Sequence, residues 1–300
     1  MFMKVGLVLA GGGARGAYQI GVWKALKELK IDKHISVVSG TSIGALNAVL
    51  FCQGDLEKAN EVWHNISKES VLPINEKDLN IRGFLISLGL KNMNFIKKYM
   101  PKTLEMGNLS RKGLLDIMDN YINFSKLEKN NKICYAACTE IDSFQPKYFK
   151  INDYNEQSIR SILLATSALP MIYESEEFES MKYLDGGMAD NVPIQPVYGE
   201  NCDIIIVIHL SKESKINKKL FPNTKIIEIT PSSMDEGVLN GILDFVPESV
   251  EKRINLGYSD TLDYLKPIIE LGLLTNKYKK SIKTDKENFF SAIIKKQFIK

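Results

Sequence analysis

The chain has 300 residues, a formal net charge of +3, 44% hydrophobic and 25% charged residues. This is the make-up of a globular protein that buries a full core without disulfides or metal. The small charge argues against nucleic acid as a partner.

The apolar run Val5–Ala10 predicts a strand. It is too short for a secretory h-region and runs straight into glycines, so a cytoplasmic protein is expected. A helix follows from Ala14 to about Leu29, then a second strand at Ile35–Ser39 and a helix to about Cys52. Asp55 is placed to cap a third helix ending near Ile66. Strand-helix alternation of this kind predicts a parallel sheet covered by helices. The expected fold is a three-layer α/β/α sandwich with a mainly parallel central sheet.

Between about 67 and 107 the pattern breaks. Pro73, Gly83, Gly89 and Pro101 interrupt short apolar patches, which predicts an insertion of small helices and loops, a candidate cap over the site. A helix opens at Asn108-Leu109-Ser110 and runs to Tyr121. Lys132–Thr139 and Lys147–Ile151 read as a strand hairpin, Glu156–Leu164 as a helix and Tyr183-Leu184 as a short strand. Cys202–Leu210 and Lys225–Ile229 complete the sheet. Val250 to Leu265 is helical, and Pro267 is expected to end or kink it. No repeat and no clear linker divides the chain.

The four cysteines, Cys52, Cys134, Cys138 and Cys202, stand in apolar surroundings. Cys134 and Cys138 share a strand rather than a turn, which suits buried reduced thiols and not zinc. No metal is expected. The segment from Lys277 to Lys300 carries eight lysines against Asp285 and Glu287, with Phe289, Phe290, Ile293, Ile294 and Phe298 on one helical face. Such a basic amphipathic helix either docks on its own domain or rests on anionic lipid.

Gly40-Thr41-Ser42-Ile43-Gly44 lies directly between a strand and a helix. A serine in G-x-S-x-G at that junction sits on a sharp turn with its hydroxyl exposed. Gly11-Gly12-Gly13-Ala14-Arg15-Gly16 follows the first strand in the same way, and both loops fall on one edge of a parallel sheet. The glycine run supports two readings. Gly11-x-Gly13-x-x-Gly16 spells a dinucleotide fingerprint, but Ser39-Gly40 stands where a ribose-binding acid is wanted. Alternatively, its bare amides form an oxyanion hole, with Arg15 steadying the loop or an anionic substrate group.

A nucleophilic serine needs a base. His34 lies at the wrong end of its strand, and His64 sits in a helix beside Trp63. His209 ends a strand, in an order with Ser42 and Asp185 that a triad would allow. Asp185, bared by Gly186 and Gly187 at a strand end, is the other candidate. Burial beside the serine would raise its pKa and strengthen it as a base.

Together these segments resemble the patatin-like phospholipase family. The glycine run is similar to that family's G-G-G-x-[RK]-G motif, the serine segment to its elbow, and Asp185-Gly186-Gly187 to its D-G-[GA] motif. Ala165-Thr166-Ser167-Ala168-Leu169-Pro170 is similar to its A-S-x-x-x-P segment, with Thr166 where serine is usual, and Asn191-Val192-Pro193 continues in the family's manner. The resemblance covers about 4–210, leaving 211–300 as an extension that completes the sheet and adds helices and the basic tail. It implies hydrolysis of lipid esters by a Ser42–Asp185 dyad without cofactor or calcium. Gly11, Gly12, Gly13, Arg15 and Gly16 would form the oxyanion loop, and Gly40, Gly44, Gly186, Gly187, Pro170 and Asn191 would support it. The partners expected are a lipid or other acyl ester and, through the tail, a membrane surface. A dinucleotide-dependent oxidoreductase and a catalytically silent lipid-binding module remain the alternatives.

Overall fold

The computed structural model describes residues 3–71, 107–128, 130–234 and 238–297. The insertion expected at 67–107 therefore lies almost wholly outside the described residues. Two compact units are distinguished, Met1–Asp260 and Thr261–Lys300. The first contains the sheet and every candidate site residue.

The strands are β1 (Val5–Leu9), β2 (Ile35–Thr41), β3 (Ile133–Glu140), β4 (Pro146–Lys150), β5 (Glu176–Phe178), β6 (Met181–Asp185), β7 (Ile204–Ile208) and β8 (Lys225–Ile229). The helices are α1 (Ala17–Glu28), α2 (Ile43–Gln53), α3 (Leu56–Asn65), α4 (Lys68–Val71), α5 (Lys112–Tyr121), α6 (Phe124–Glu128), α7 (Glu156–Thr166), α8 (Ile194–Gly199), α9 (Val238–Leu243) and α10 (Pro247–Gln297). The sheet runs β5-β6-β3-β2-β1-β7-β8, with β4 also on β3. β1, β2, β3, β7 and β8 are parallel neighbours, as the strand-helix alternation predicts.

β1 is buried along its whole length because both faces are covered. Val8 faces one way with Val37, Ile205 and Val207, and packs on Ile194 and Val197 of α8. Leu7 and Leu9 face the other way, against Ile20 and Trp23 of α1 and Phe51 of α2. The period of two along the strand thus separates the two helical layers. Asp55 caps α3 as expected, accepting from the Lys58 amide at 3.0 Å.

β3 decides where the site falls. β2 pairs with Val37–Thr41 against Ile133–Ala137. β6 pairs antiparallel, Asp185 opposite Cys138. β4 pairs with Tyr135–Thr139 and overlaps both, so it occupies the other edge of β3. β2 and β6 therefore share one edge and meet end to end: Ala137 carries Thr41, and the next residue, Cys138, carries Asp185.

Two expectations are corrected. The helix read from Asn108 begins at Lys112, after Arg111. Pro267 does not end the last helix, which continues to Gln297. Proline has no amide to give the Asp263 carbonyl, but both residues are exposed, so no unpaired carbonyl is buried. The apolar face expected beyond Lys277 concerns side chains outside the described set. No described helix is long and apolar enough to cross a membrane.

Candidate active site

Ser42 is the hinge between β2 and α2. Its backbone sits at φ 55° and ψ −125°, a left-handed conformation that costs a non-glycine residue about 1–3 kcal/mol. The flanking glycines are required by close approach. A Cβ on Gly40 would stand 2.1 Å from the Gly44 carbonyl oxygen, and one on Gly44 would stand 2.3 Å from that of Leu9. The Ser42 carbonyl accepts from the Ala45 and Leu46 amides and starts α2. The Ser42 amide donates to Thr166 Oγ1 at 2.9 Å.

The glycine turn lies beside it because Leu9 and Gly40 are partners in the sheet. Gly13 takes φ 55° and opens a short 3-10 turn through Gly16. The five residues expected to form an anion cradle play different parts. The Gly11 amide donates to the Asn191 carbonyl at 3.2 Å, and the Arg15 amide to the Gly12 carbonyl at 3.3 Å. Gly16 makes room for Ile43 and Trp63, each within 3.0 Å of where its Cβ would be. Arg15 is buried. Among the described residues, the Gly12 and Gly13 amides have no acceptor.

The carbonyls of this turn are held from behind. Gln19 Nε2 donates to the Ala10 carbonyl at 2.8 Å, and Asn47 Nδ2 donates to the Gly16 carbonyl at 3.1 Å and to Gln19 Oε1 at 2.8 Å. Trp63 Nε1 donates to Asn47 Oδ1 at 2.9 Å. Asn191 Nδ2 adds a bond to the Gly11 carbonyl at 3.2 Å.

Asp185 ends β6. Its amide donates to the Ala168 carbonyl at 2.9 Å, and its carbonyl accepts from Thr139 Oγ1 at 2.8 Å. Oδ1 accepts from the Gly187 amide at 2.7 Å. Gly186 is needed because a Cβ there would stand 2.1 Å from the Ala137 carbonyl oxygen. The carboxyl is 3% exposed, and burial pushes its pKa up to about 6, against the Ser42 hydroxyl and the Gly187 amide, which hold it down. Oδ2 has no hydrogen-bond partner, and the Ser42 hydroxyl stands near enough to the carboxylate to lower its pKa.

His209 does not join them. It is fully buried, and Nε2 binds Glu228 Oε2 on β8 at 3.0 Å, on the far side of β1 from Ser42. Burial lowers its pKa, opposed by Glu228. His34 is exposed at the opposite end of β2, and His64 binds Glu251 on the surface at 3.0 Å. No acid stands at the end of β2, and the space beside Gly11 is filled by Asn191, so the dinucleotide reading finds no ribose site. Pro170 is buried just after the segment that contacts Ser42 and Asp185. The sequence reading missed Thr166 as an elbow contact, and Thr139, Gln19 and Asn47 altogether. Polar residues placed among apolar ones in helix and strand interiors were the available signal. The four cysteines are free and buried.

This is an α/β protein of the serine-elbow class, with a carboxylate rather than a histidine at the serine. The chain belongs to the patatin-like phospholipase family, whose sequence profile matches residues 7–198. Lysophospholipase nte1 of Aspergillus terreus is 28% identical over 205 residues, 68% of this chain and 12% of that protein. An uncharacterized NTE family protein of Mycobacterium bovis is 21% identical over 248 residues, covering 80% of this chain and 60% of that one. Among solved structures, VipD from Legionella pneumophila is similar with a TM-score of 0.47 at 15% identity, over 89% of this chain and 67% of that chain. This chain thus spans about an eighth of the fungal relatives it matches.

Proposed function

We propose that this protein is a serine acyl hydrolase of lipid carboxylic esters, with Ser42 as nucleophile and Asp185 as general base. The observation that carries the reading is the end-to-end meeting of β2 and β6 on β3, which brings the Ser42 hydroxyl to a buried carboxylate of raised pKa. Membership of the family and the lysophospholipase name of the fungal relative support a lipid ester as substrate.

Asp185 takes the hydroxyl proton as Ser42 Oγ attacks the ester carbonyl. The Gly12 and Gly13 amides donate to the oxyanion that forms. The intermediate collapses to an acyl-enzyme, and the departing alkoxide takes the proton from Asp185. Water then attacks the acyl group, gives its proton to Asp185, and releases the fatty acid as the proton returns to Ser42. A carboxyl whose pKa is raised to about 6 is deprotonated enough near neutral pH to accept a proton and basic enough to matter. No step draws on a metal or organic cofactor.

The protein would act in the cytoplasm, against a membrane surface. The lysine excess from Lys277 to Lys300 favours anionic lipid. Vesicle flotation checks this: binding to anionic and not to neutral vesicles is expected, and equal binding to both refutes it. Turnover of nitrophenyl fatty esters and lysophospholipids tests the chemistry. Ser42→Ala and Asp185→Asn should each abolish turnover and fluorophosphonate labelling, while His209→Ala retains both. Turnover surviving in Ser42→Ala refutes the proposal.

A further inference from the structure

The end of α7 touches both partners of the dyad. Thr166 is fully buried, and its hydroxyl donates to the Ala137 carbonyl while accepting from the Ser42 amide at 2.9 Å. Two residues on, the Ala168 carbonyl accepts from the Asp185 amide at 2.9 Å. Ala137 is the β3 residue opposite Thr41, and Cys138, opposite Asp185, also has its thiol against Thr166.

The chemistry at this point is narrow. A carbonyl oxygen only accepts and an amide only donates, so a group lying between the Ala137 carbonyl and the Ser42 amide must do both. A buried hydroxyl fits; a methyl, a carboxylate or an ammonium does not. The hydroxyl proton is committed to Ala137, which leaves an oxygen lone pair fixed on Ser42. The bond closes a short bridge across the end of β2 and holds the Thr41–Ser42 peptide in one orientation. Without it, the left-handed backbone at Ser42 is free to relax by turning that peptide over.

We propose that Thr166 is the positioning residue of the dyad: its hydroxyl locks the Ser42 peptide while the same short segment fixes Asp185, so that the spacing of 166 and 168 aligns nucleophile and base. Thr166 touches no reacting atom. The Ser42 amide is thereby occupied and takes no part in holding the oxyanion, which falls to Gly12 and Gly13. The proposal rests on the acyl-hydrolase reading for its catalytic half, and its structural half is tested separately.

The test compares Thr166→Val, Thr166→Ser and Thr166→Ala with the parent by steady-state kinetics on a soluble fatty ester, urea unfolding, and amide hydrogen exchange read at Ser42. Thr166→Ser keeps the hydroxyl and should hold kcat within about threefold of the parent. Thr166→Val should lower kcat by about 10- to 100-fold, the cost of small misalignment, with KM little changed. Fluorophosphonate labelling should slow in parallel, and exchange at the Ser42 amide should quicken. Should the valine variant not fold, Thr166→Ala, which removes the hydroxyl and leaves space in its place, supplies the same comparison. A folded valine or alanine variant with parental kcat overturns the proposal. So does a serine variant as damaged as the valine, or Ser42 exchange that no variant changes. If the parent and Ser42→Ala turn over equally, the acyl-hydrolase reading falls, and the exchange experiment still decides whether Thr166 holds the elbow.

Discussion

Replacing Asp185 by asparagine should make the protein more stable, by an amount that depends on pH. The carboxyl is 3% exposed, and burial raises its pKa from 3.8 to about 6. A folded-state pKa above the unfolded value means that the native state holds the proton more tightly. Native stability therefore falls as pH rises from about 4 to about 6 and then levels off. A rise from 3.8 to about 6 corresponds to about 3 kcal/mol of penalty on the ionised form. Asparagine has nearly the same shape, its oxygen accepts from the Gly187 amide as Oδ1 does, and it never ionises. Asp185→Asn should thus gain about 2 kcal/mol on the parent between about pH 4.5 and pH 8. Urea unfolding at both values, read as midpoint and slope, measures this. An advantage that stays flat with pH would refute the reasoning, because it would show that the native carboxylate is as well solvated as the unfolded one.

In the proposed mechanism the same ionisation would govern turnover. As the proposed general base Asp185 would work deprotonated, so kcat/KM should rise with pH through about 6 and then level, and a fall over that range would contradict that role. Ser42→Gly relieves the left-handed backbone at φ 55° and should be about 1 kcal/mol more stable than Ser42→Ala, which also lacks the hydroxyl. Equal urea midpoints for the two would refute the strain. Asn47→Leu leaves Trp63 Nε1, the Gly16 carbonyl and Gln19 Oε1 without their partner. At about 1–3 kcal/mol for each buried group it should cost at least about 3 kcal/mol, with a changed tryptophan emission, and an unchanged thermal midpoint would refute it.

What the sequence revealed, it revealed where the cause is local. The runs that became β1 and β7 are continuous and apolar because helices cover both their faces. Gly40, Gly44 and Gly186 mark their turns because backbone comes within 2.3 Å of where a Cβ would stand. The missing parts depend on residues far apart in the chain. Thr166 reaches Ser42 across 124 positions, and a polar residue within an apolar helix signals that it has a partner but not which one. The α8 helix, Ile194–Gly199, is six residues long with Pro196 inside it, too brief for a helical period to show. Within Gly11–Gly16, composition alone could not separate amides that face the crevice from those consumed by the turn. Gly11 and Arg15 belong to the second group because Asn191 and Gly12 offer them carbonyls.

Ser42 and Asp185 both raise the free energy of the native state, one by its backbone and the other by its buried charge. The combined cost, about 4–6 kcal/mol, is comparable to the whole net stability of a small domain. Such a pair persists only if its surroundings leave it no way to relax. The Ser42 amide is held by Thr166 and its carbonyl by α2; the Asp185 amide is held by Ala168 and its carbonyl by Thr139. All four backbone groups are anchored, while Oδ2 and the serine hydroxyl, the atoms that would react, lack full hydrogen bonds to one another. The fold spends its rigidity on the peptides and leaves the side chains short of partners. In the proposed reaction a substrate carbonyl would give the Gly12 and Gly13 amides an acceptor, and passage of the Ser42 proton to Asp185 would discharge the buried carboxylate as the oxyanion forms, so the cost of that charge would be relieved in the transition state.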